Sequence, residues 1–532
     1  MLIYIKSDLN QQSKPSGGLK MSFKAVVVHE NRYADSVTLM GVGDSVKKSA
    51  GVLLAEVQMG TPVNLEAMRE LGFKIPAAAG VNDLIVAIEA EDETALKAAQ
   101  ENVMNCLDRK HGADDESFNS LDEVDISDGW NLCQISLPGE FAAAEAEKAI
   151  NKGMDVFIFS DNVSLEEELH LKQLGEVNDV LVMGPDCGVG MIDGVALATM
   201  SIVNGGPIGI VGASGSGAQE VACIVEKAGS GISALIGTGG RDLYPQIGGL
   251  SMIKGMKRLA EDSATEVIVL VSKLADRNVM DKVLTEADKI SKPVVAIFLG
   301  GDESLFAKHE VHPAFSLEAA ALKALELCGI SNSNFCLDRT RVEAIVNKEL
   351  EKYNENQKYL RGVYCGGTFA EESLIYLNKH NPGMELYCNL NTSYAIQLED
   401  HLHSKGHALI DLGSEEFTLD APHPVFDPEL RLKRFRQEAA DPETAVILLD
   451  FITAPGVHED PVLPFAQACA EAIKARKGAL TVIASICGSA NDPQDITKCG
   501  QALIDAGVIL TGSNHQSTLL ASALAHALDQ RR

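Results

Sequence analysis

The sequence predicts a multidomain α/β protein built largely from parallel sheets, and three observations carry that reading. Short apolar, β-rich runs alternate with stretches of helical apolar spacing along almost the whole chain. Glycine-rich turns stand repeatedly where a run gives way to helical spacing, most clearly in "GIVGASGSGAQEVACIV" at 209–225. The chain has 532 residues, 46% hydrophobic and 23% charged with 46 glycines, which is far more than one core needs.

In chain order, residues 1–20 ("MLIYIKSDLNQQSKPSGGLK") read as a disordered leader, too short in its apolar part for a signal segment. Residues 21–110 alternate "KAVVVHE", "GVLLAEVQM" and "DLIVAIEAE" with helical stretches, and form a small α+β domain. The acidic stretch 111–129 reads as a linker. Residues 130–205 give strand, helix, strand, helix, strand, an open parallel sheet of Rossmann type. A third domain spans 206–330 and a fourth 361–532 in the same rhythm, with the polar segment 331–360 as a linker between them. The openings "IGIVGASGSGAQEVACIV" and "RGVYCGGTFAEESLIYL" both give strand, small-residue loop and an early helical Glu, the mark of an internal duplication.

Charge and cysteine usage narrow the classes. Lys+Arg 45 against Asp+Glu 75 leaves a net charge of −30, which repels nucleic acid and anionic membrane, and no basic patch offsets it. No apolar run approaches the roughly 18 residues of a membrane span. The 11 cysteines are scattered without CxxC pairs, which fits a reducing cytoplasm and no metal site.

The loop Gly212, Ser214, Gly215, Ser216 and Gly217 lies between a strand and a helix start, where free amides and the helix dipole favour an anion such as phosphate or carboxylate. It lacks the Lys of a P-loop and the acidic strand end of a dinucleotide fold. Gly239 and Gly240 in "GTGGRD", and Gly366, Gly367 and Thr368 in "CGGT", are expected to complete the cradle. Glu220 and Glu371 are candidate acid/base or orienting groups, with helix-dipole stabilisation as the alternative. Arg241 is a candidate carboxylate clamp, with a surface ion pair as the alternative. Asp186 and Cys187 sit in the turn "GPDCG", the latter read as a turn or buried thiol. His407, His423 and His515 show no triad or metal spacing and read as structural, and His309 and His312 as loop histidines.

The runs "VMGPDCGVGMIDG", "GPIGIVGASGSGAQEVACIVEKAGSGISALIGTGGRD", "TEVIVLVSKL" and "KPVVAIFLGG" resemble the α subunit of succinyl-CoA synthetase and other NDP-forming acyl-CoA synthetases. "PETAVILLDFITAPG", "LTVIASICGSANDPQD" and "ALIDAGVILTGS" resemble the C-terminal ligase domain of the β subunit. With the N-terminal α+β unit, the chain from Met21 resembles the FdrA family, also called AllF. The resemblance implies a CoA-binding-type domain at 130–205 and two flavodoxin-like ligase-type domains at 206–330 and 361–532.

Two departures qualify it. The synthetases carry a phosphorylated histidine in a Gly-His-Ala-Gly motif after the strand matching "KPVVAIFLGG", but here the chain continues "DESLFAKHEVHPAFSLEAA". They also carry an ATP-grasp domain, for which 331–360 leaves no room. The FdrA resemblance implies a cytoplasmic oxamate carbamoyltransferase subunit in allantoin breakdown. That enzyme converts oxalurate and phosphate into oxamate and carbamoyl phosphate, with other subunits and in an oligomer. Phosphate or carbamoyl phosphate is then a substrate, and the chain requires no cofactor of its own. The alternatives are an acyl-CoA synthetase, using CoA and ADP/ATP, and a non-catalytic scaffold.

Overall fold

The computed structural model describes residues 5–6, 22–107 except 31 and 35, 121–123, 129, and 131–531 except 274, 332–334, 336 and 420. Most of the expected leader and of the linker 111–129 therefore lies outside the described residues. The chain divides into two units, 1–119 and 120–532.

The first unit runs β1 (Ile5–Lys6), β2 (Phe23–His29), α1 (Ser36–Lys47), β3 (Val52–Met59), α2 (Pro62–Glu70), β4 (Leu84–Ala90) and α3 (Glu93–Leu107). Its antiparallel sheet has the order β1-β2-β4-β3. The period of two sends Val27, Val57 and Val86 into one core and Val26, Val28 and Ile85 into another on the opposite face. Ile5 and Lys6 pair with Val26 and Ala25, so part of the expected leader is an edge strand.

The second unit begins with a short 3₁₀ turn at Leu121–Glu123. It continues through β5 (Leu132–Ile135), α4 (Gly139–Asn151), β6 (Asp155–Ile158), α5 (Leu165–Asn178) and β7 (Val182–Met183), a parallel three-stranded sheet. Ser164 caps α5 in a reciprocal box with Glu167. The hairpin β8 (Val189–Ile192) and β9 (Val195–Ala198) leaves that sheet and adds to the next, where β8 pairs antiparallel with β11.

Then come β10 (Gly205–Gly212), α6 (Gly215–Lys227), β11 (Ile232–Gly237), α7 (Leu250–Glu261), β12 (Val267–Ser272), α8 (Arg277–Ala287), β13 (Val294–Phe298), α9 (Glu303–Phe306), β14 (His312–Pro313) and α10 (Leu317–Leu327). Next is α11 (Arg339–Leu350), inside the segment expected to be a linker. Its stripe Val342, Ile345, Val346 and Leu350 packs on the shared core, and Glu349 accepts from Thr481 Oγ1 at 2.7 Å.

The last part holds β15 (Tyr359–Tyr364), α12 (Gly367–His380), β16 (Leu386–Cys388), β17 (Ile396–Gln397), β18 (His407–Asp411), α13 (Glu415–Thr418), α14 (Glu429–Ala440), β19 (Thr444–Ile452), α15 (Leu463–Ala475), β20 (Thr481–Cys487), α16 (Ile496–Asp505), β21 (Ile509–Thr511) and α17 (Asn514–Asp529).

The two seven-stranded sheets repeat one topology. Their orders contain β11-β10-β12-β13-β14 and β18-β15-β19-β20-β21, the doubly wound order 2-1-3-4-5. Register fixes the equivalence: Gly212 pairs with Gly237 as Tyr364 pairs with Asp411. The N-cap of α6 is Ser214 and that of α12 is Gly366, so six residues on Glu220 matches Glu372, not Glu371.

This equivalence joins the halves. Glu372 of α12 accepts from the Leu317 amide that opens α10, at 2.8 Å, and Glu220 of α6 accepts from the Asn514 amide that opens α17, at 3.1 Å. Each half thus supplies a buried carboxylate to a helix N-terminus of the other. Asn514 Nδ2 links the two by donating to Glu372 at 2.7 Å. Burial pushes the Glu372 carboxyl up to about 7, against the hydrogen bonds from Asn514 and Leu317.

A raised folded-state pKa means that the folded state holds a proton the unfolded chain releases. Stability from this group is therefore present below about 4.5 and lost as pH rises to about 7. Relative to wild type, Glu372→Gln should gain stability by up to ~3 kcal/mol between pH 5 and pH 8, read by urea unfolding. A constant difference across that range would refute the assignment.

Candidate active-site cleft

The two glycine loops meet at the C-terminal strand ends, where open parallel sheets bind ligands. Ser214 Oγ and Thr368 Oγ1 lie 2.7 Å apart, both buried, and so tie the N-terminus of α6 to that of α12. Close approach explains the small residues. A Cβ on Gly217 would lie 2.6 Å from Ser214 Oγ and 3.1 Å from Thr368 Cγ2, and one on Gly367 would lie 2.6 Å from Asp411 Oδ2. Gly239, at φ +81°, packs against the Pro185 carbonyl, whereas Gly240 is open.

The loops differ in how their first residues are held. In the first, Ser214 caps Gly217 N at 3.3 Å, while the amides of Gly215 and Ser216 have no protein acceptor among the described residues. In the second, the amides of Cys365 and Gly366 both donate to Asp450, each at 2.9 Å, and Arg431 braces the same carboxylate at 2.9 Å. An internal anion thus takes the first two amides of the second loop, and Gly366 has no amide to offer a ligand.

Lys273, which follows β12, brings a positive charge beside Gly367 in the second loop, and the sequence reading missed it. Its Nζ lies 3.5 Å from the Cβ position of Gly367, and among the described residues it makes no hydrogen bond or ion pair. Its field lowers three carboxyls that burial raises: Asp186, Glu371 and Asp411. Asp411 nevertheless stands at about 6 because it is wholly enclosed. Asp186 keeps solvent contact but sits among enough protein to be desolvated, as a residue on a cleft floor does. The signal for Lys273 was its place after a buried strand, "VIVLVSK", at the ligand edge of the sheet.

Other candidates prove structural. Arg241 grips Glu168 through Nε at 2.9 Å and Nη2 at 2.8 Å, and Val163 O at 2.8 Å, so the carboxylate it clamps is internal. Glu168 also pairs with the buried Lys172, which binds Asp242 at 2.9 Å, and Asp242 in turn caps α7 through Ser251 and Met252. Glu220 points away from the cleft into the α17 cap, whereas Glu371 faces Lys273.

Burial raises the Cys187 thiol to about 12, leaving it unreactive. His407 accepts from the Leu360 amide, and burial lowers His423 to about 4. His309 is held by Asp288 at 2.8 Å, and His312 lies in the edge strand β14.

A curated relative, "Uncharacterized protein YahF" of Escherichia coli (strain K12), is 38% identical over 512 residues, covering 94% of this chain and 98% of its own length. The chain belongs to the FdrA family.

Three family models match this FdrA-family chain: "AllF, heavy metal-associated domain" over 21–122, "CoA binding domain" over 204–300 and "CoA-ligase" over 363–524. The CoA-binding match thus falls on β10 to β13, where the sequence reading expected the first ligase-type domain. "Succinate--CoA ligase [ADP-forming] subunit alpha" of Staphylococcus epidermidis is 23% identical over 227 residues, 41% of this chain and 74% of that protein. The solved structure of PH0766 from Pyrococcus horikoshii OT3 overlaps 79% of this chain and 88% of its own at 15% identity and TM-score 0.32.

The first model's name raises a metal, which the described residues do not fit. Among the described residues no group of three His, Cys, Asp or Glu side chains could hold an ion. The stretch 21–122 carries one cysteine, Cys106, whose thiol donates to Asn102. No helix among the described residues is long and apolar enough to cross a membrane.

Removing the carboxylate that closes the second loop leaves Arg431 buried without its partner and two amides unsatisfied. Asp450→Ala should therefore cost ~3–5 kcal/mol of unfolding free energy in urea titration. A loss under about 1 kcal/mol would mean that Asp450 does not hold the loop.

Proposed function

We propose that this chain is the carbamoyl-transferring subunit of an oxamate carbamoyltransferase, acting on oxalurate and phosphate where the loops that open α6 and α12 meet. The observation that carries the reading is the pairing of open amides at Gly215 and Ser216 with an unpaired Lys273. Together they supply oriented donors and one positive charge for a small phosphate-bearing anion.

In the reaction, a phosphate oxygen attacks the carbamoyl carbon of oxalurate and the bond from that carbon to the oxamate nitrogen breaks. The phosphate proton passes to that nitrogen, giving oxamate and carbamoyl phosphate. Ser216 and Gly215 hold the phosphate, the buried Ser214–Thr368 contact fixes the loop that presents their amides, and Lys273 offsets the charge that builds on the transferred group. Glu371, its carboxyl raised by burial, is placed to relay the proton. No cofactor is needed for these steps. The proposed setting is cytoplasmic, in an oligomer with other subunits that complete the substrate site.

A second reading, an acyl-CoA ligase in which a thiol attacks an acyl phosphate in the same cleft, is favoured by the CoA-binding match over 204–300. Ligand-induced stabilisation separates the two. Millimolar phosphate or carbamoyl phosphate should raise the melting temperature, with ~2.7 kcal/mol expected at a hundred times Kd, and CoA should leave it unchanged. A rise with CoA alone would favour the ligase. Lys273→Ala should weaken phosphate binding roughly tenfold, about 1.4 kcal/mol, in calorimetric titration. Unchanged affinity would remove Lys273 from the site.

A further inference from the structure

Asp411, the last residue of β18, is held at every polar atom but one. Its amide donates to Asn389 Oδ1 at 2.9 Å, and its carbonyl accepts from Asn389 Nδ2 and Ser414 Oγ, each at 2.9 Å. Its Oδ1 accepts from the Gly413 amide at 2.9 Å. Oδ2 accepts from nothing among the described residues, yet it does not belong to the unpartnered side-chain atoms sealed inside the protein. Protein surrounds Asp411 on all sides, but 5% of its surface stays open, and Oδ2 holds part of that opening. A carboxylate oxygen so deeply placed is costly to leave without a donor.

The opening adjoins Gly367, at the start of α12. Asp411 Oδ2 lies 2.6 Å and Lys273 Nζ 3.5 Å from one point, the Cβ position of Gly367, and the two form no ion pair. Gly367 has no side chain to fill the space that they share, which therefore has an acceptor on one side and a cationic donor on the other. The other carboxylates that face Asp411 are already engaged: Glu416 accepts from Asn389 Nδ2 at 2.6 Å, and Asp450 from Cys365, Gly366 and Arg431. Burial raises the Asp411 carboxyl to about 6, against the field of Lys273 and the Gly413 hydrogen bond, so at neutral pH it is ionised and can only accept. A small group that fits this space carries an acceptor for the lysine and an N–H donor for the aspartate.

We infer that Asp411 selects a carbamoyl group over an acyl group: Oδ2 accepts a hydrogen bond from the carbamoyl NH2 while Lys273 donates to the carbamoyl oxygen. An acetyl group offers the same carbonyl but sets a methyl against the carboxylate, which leaves Oδ2 desolvated and unpaired. Oxalurate and carbamoyl phosphate share the terminal NH2–C=O group, so one acceptor serves substrate and product alike. The inference rests on the transfer reading proposed for this cleft and gives that reading its specificity-determining residue.

The test compares carbamoyl phosphate with acetyl phosphate, which differ in NH2 against CH3, by calorimetric titration of the full chain. Wild type should bind carbamoyl phosphate about fivefold more tightly or better, one hydrogen bond's worth, and this comparison needs no variant. In Asp411→Asn the side-chain oxygen must take the Gly413 N–H, which turns the amide NH2 toward the NH2 of the ligand. Carbamoyl phosphate should then weaken about tenfold and the preference vanish, while inorganic phosphate, relieved of a nearby negative charge, binds at least as tightly and shows that the variant is folded. A wild-type preference under about twofold, or one that survives Asp411→Asn, would overturn the selection while leaving the cleft reading in place, because phosphate still binds. Wild type that binds neither phosphate nor carbamoyl phosphate would overturn both.

Discussion

The second unit depends on a reciprocal exchange of buried carboxylates. Glu220 of one half caps a helix of the other, and Glu372 returns the contact, with Asn514 bridging them. Each helix N-terminus has amides that must find acceptors, and each buried carboxylate must find donors. Supplying both across the duplicated interface makes neither half complete alone. It also fixes α6 and α12 so closely that their loops touch through Ser214 and Thr368.

That contact forces small residues at the junction, and it would give two equivalent anion cradles if the halves were identical. They are not. In the second half Asp450 replaces the position that is Val271 in the first, and its carboxylate fills its own loop with Arg431 behind it. In the first half the equivalent amide, that of Ala213, instead donates to the Val271 carbonyl at 2.9 Å. One change of side chain at one strand end therefore changes what the first amides of the loop bind.

The cleft's charge follows the same logic. Three carboxyls face Lys273, and if all ionised they would repel an anion. Desolvation raises each of them against the field of the lysine.

The alternation of β-rich runs and helical spacing was enough to give the α/β class with parallel sheets and the repeated topology, because period and turn composition are local properties, but it read α11 as linker. It also placed Ser214–Gly217 and Thr368 at the ligand edge. What it could not decide were partners distant in sequence. Glu371 and Glu372 are adjacent, and only the strand register shows which is equivalent to Glu220. Arg241 reads as a free clamp until Glu168, 73 residues away, is seen beneath it. Gly366 reads as a phosphate donor until Asp450, 84 residues on, takes its amide. Lys273 carries no motif, and its place beside Gly367 comes from two sheets bringing their ends together. Local spacing determined the elements and their class, while burial and long-range pairing, which depend on the assembled fold, decided which of their residues remain free to bind.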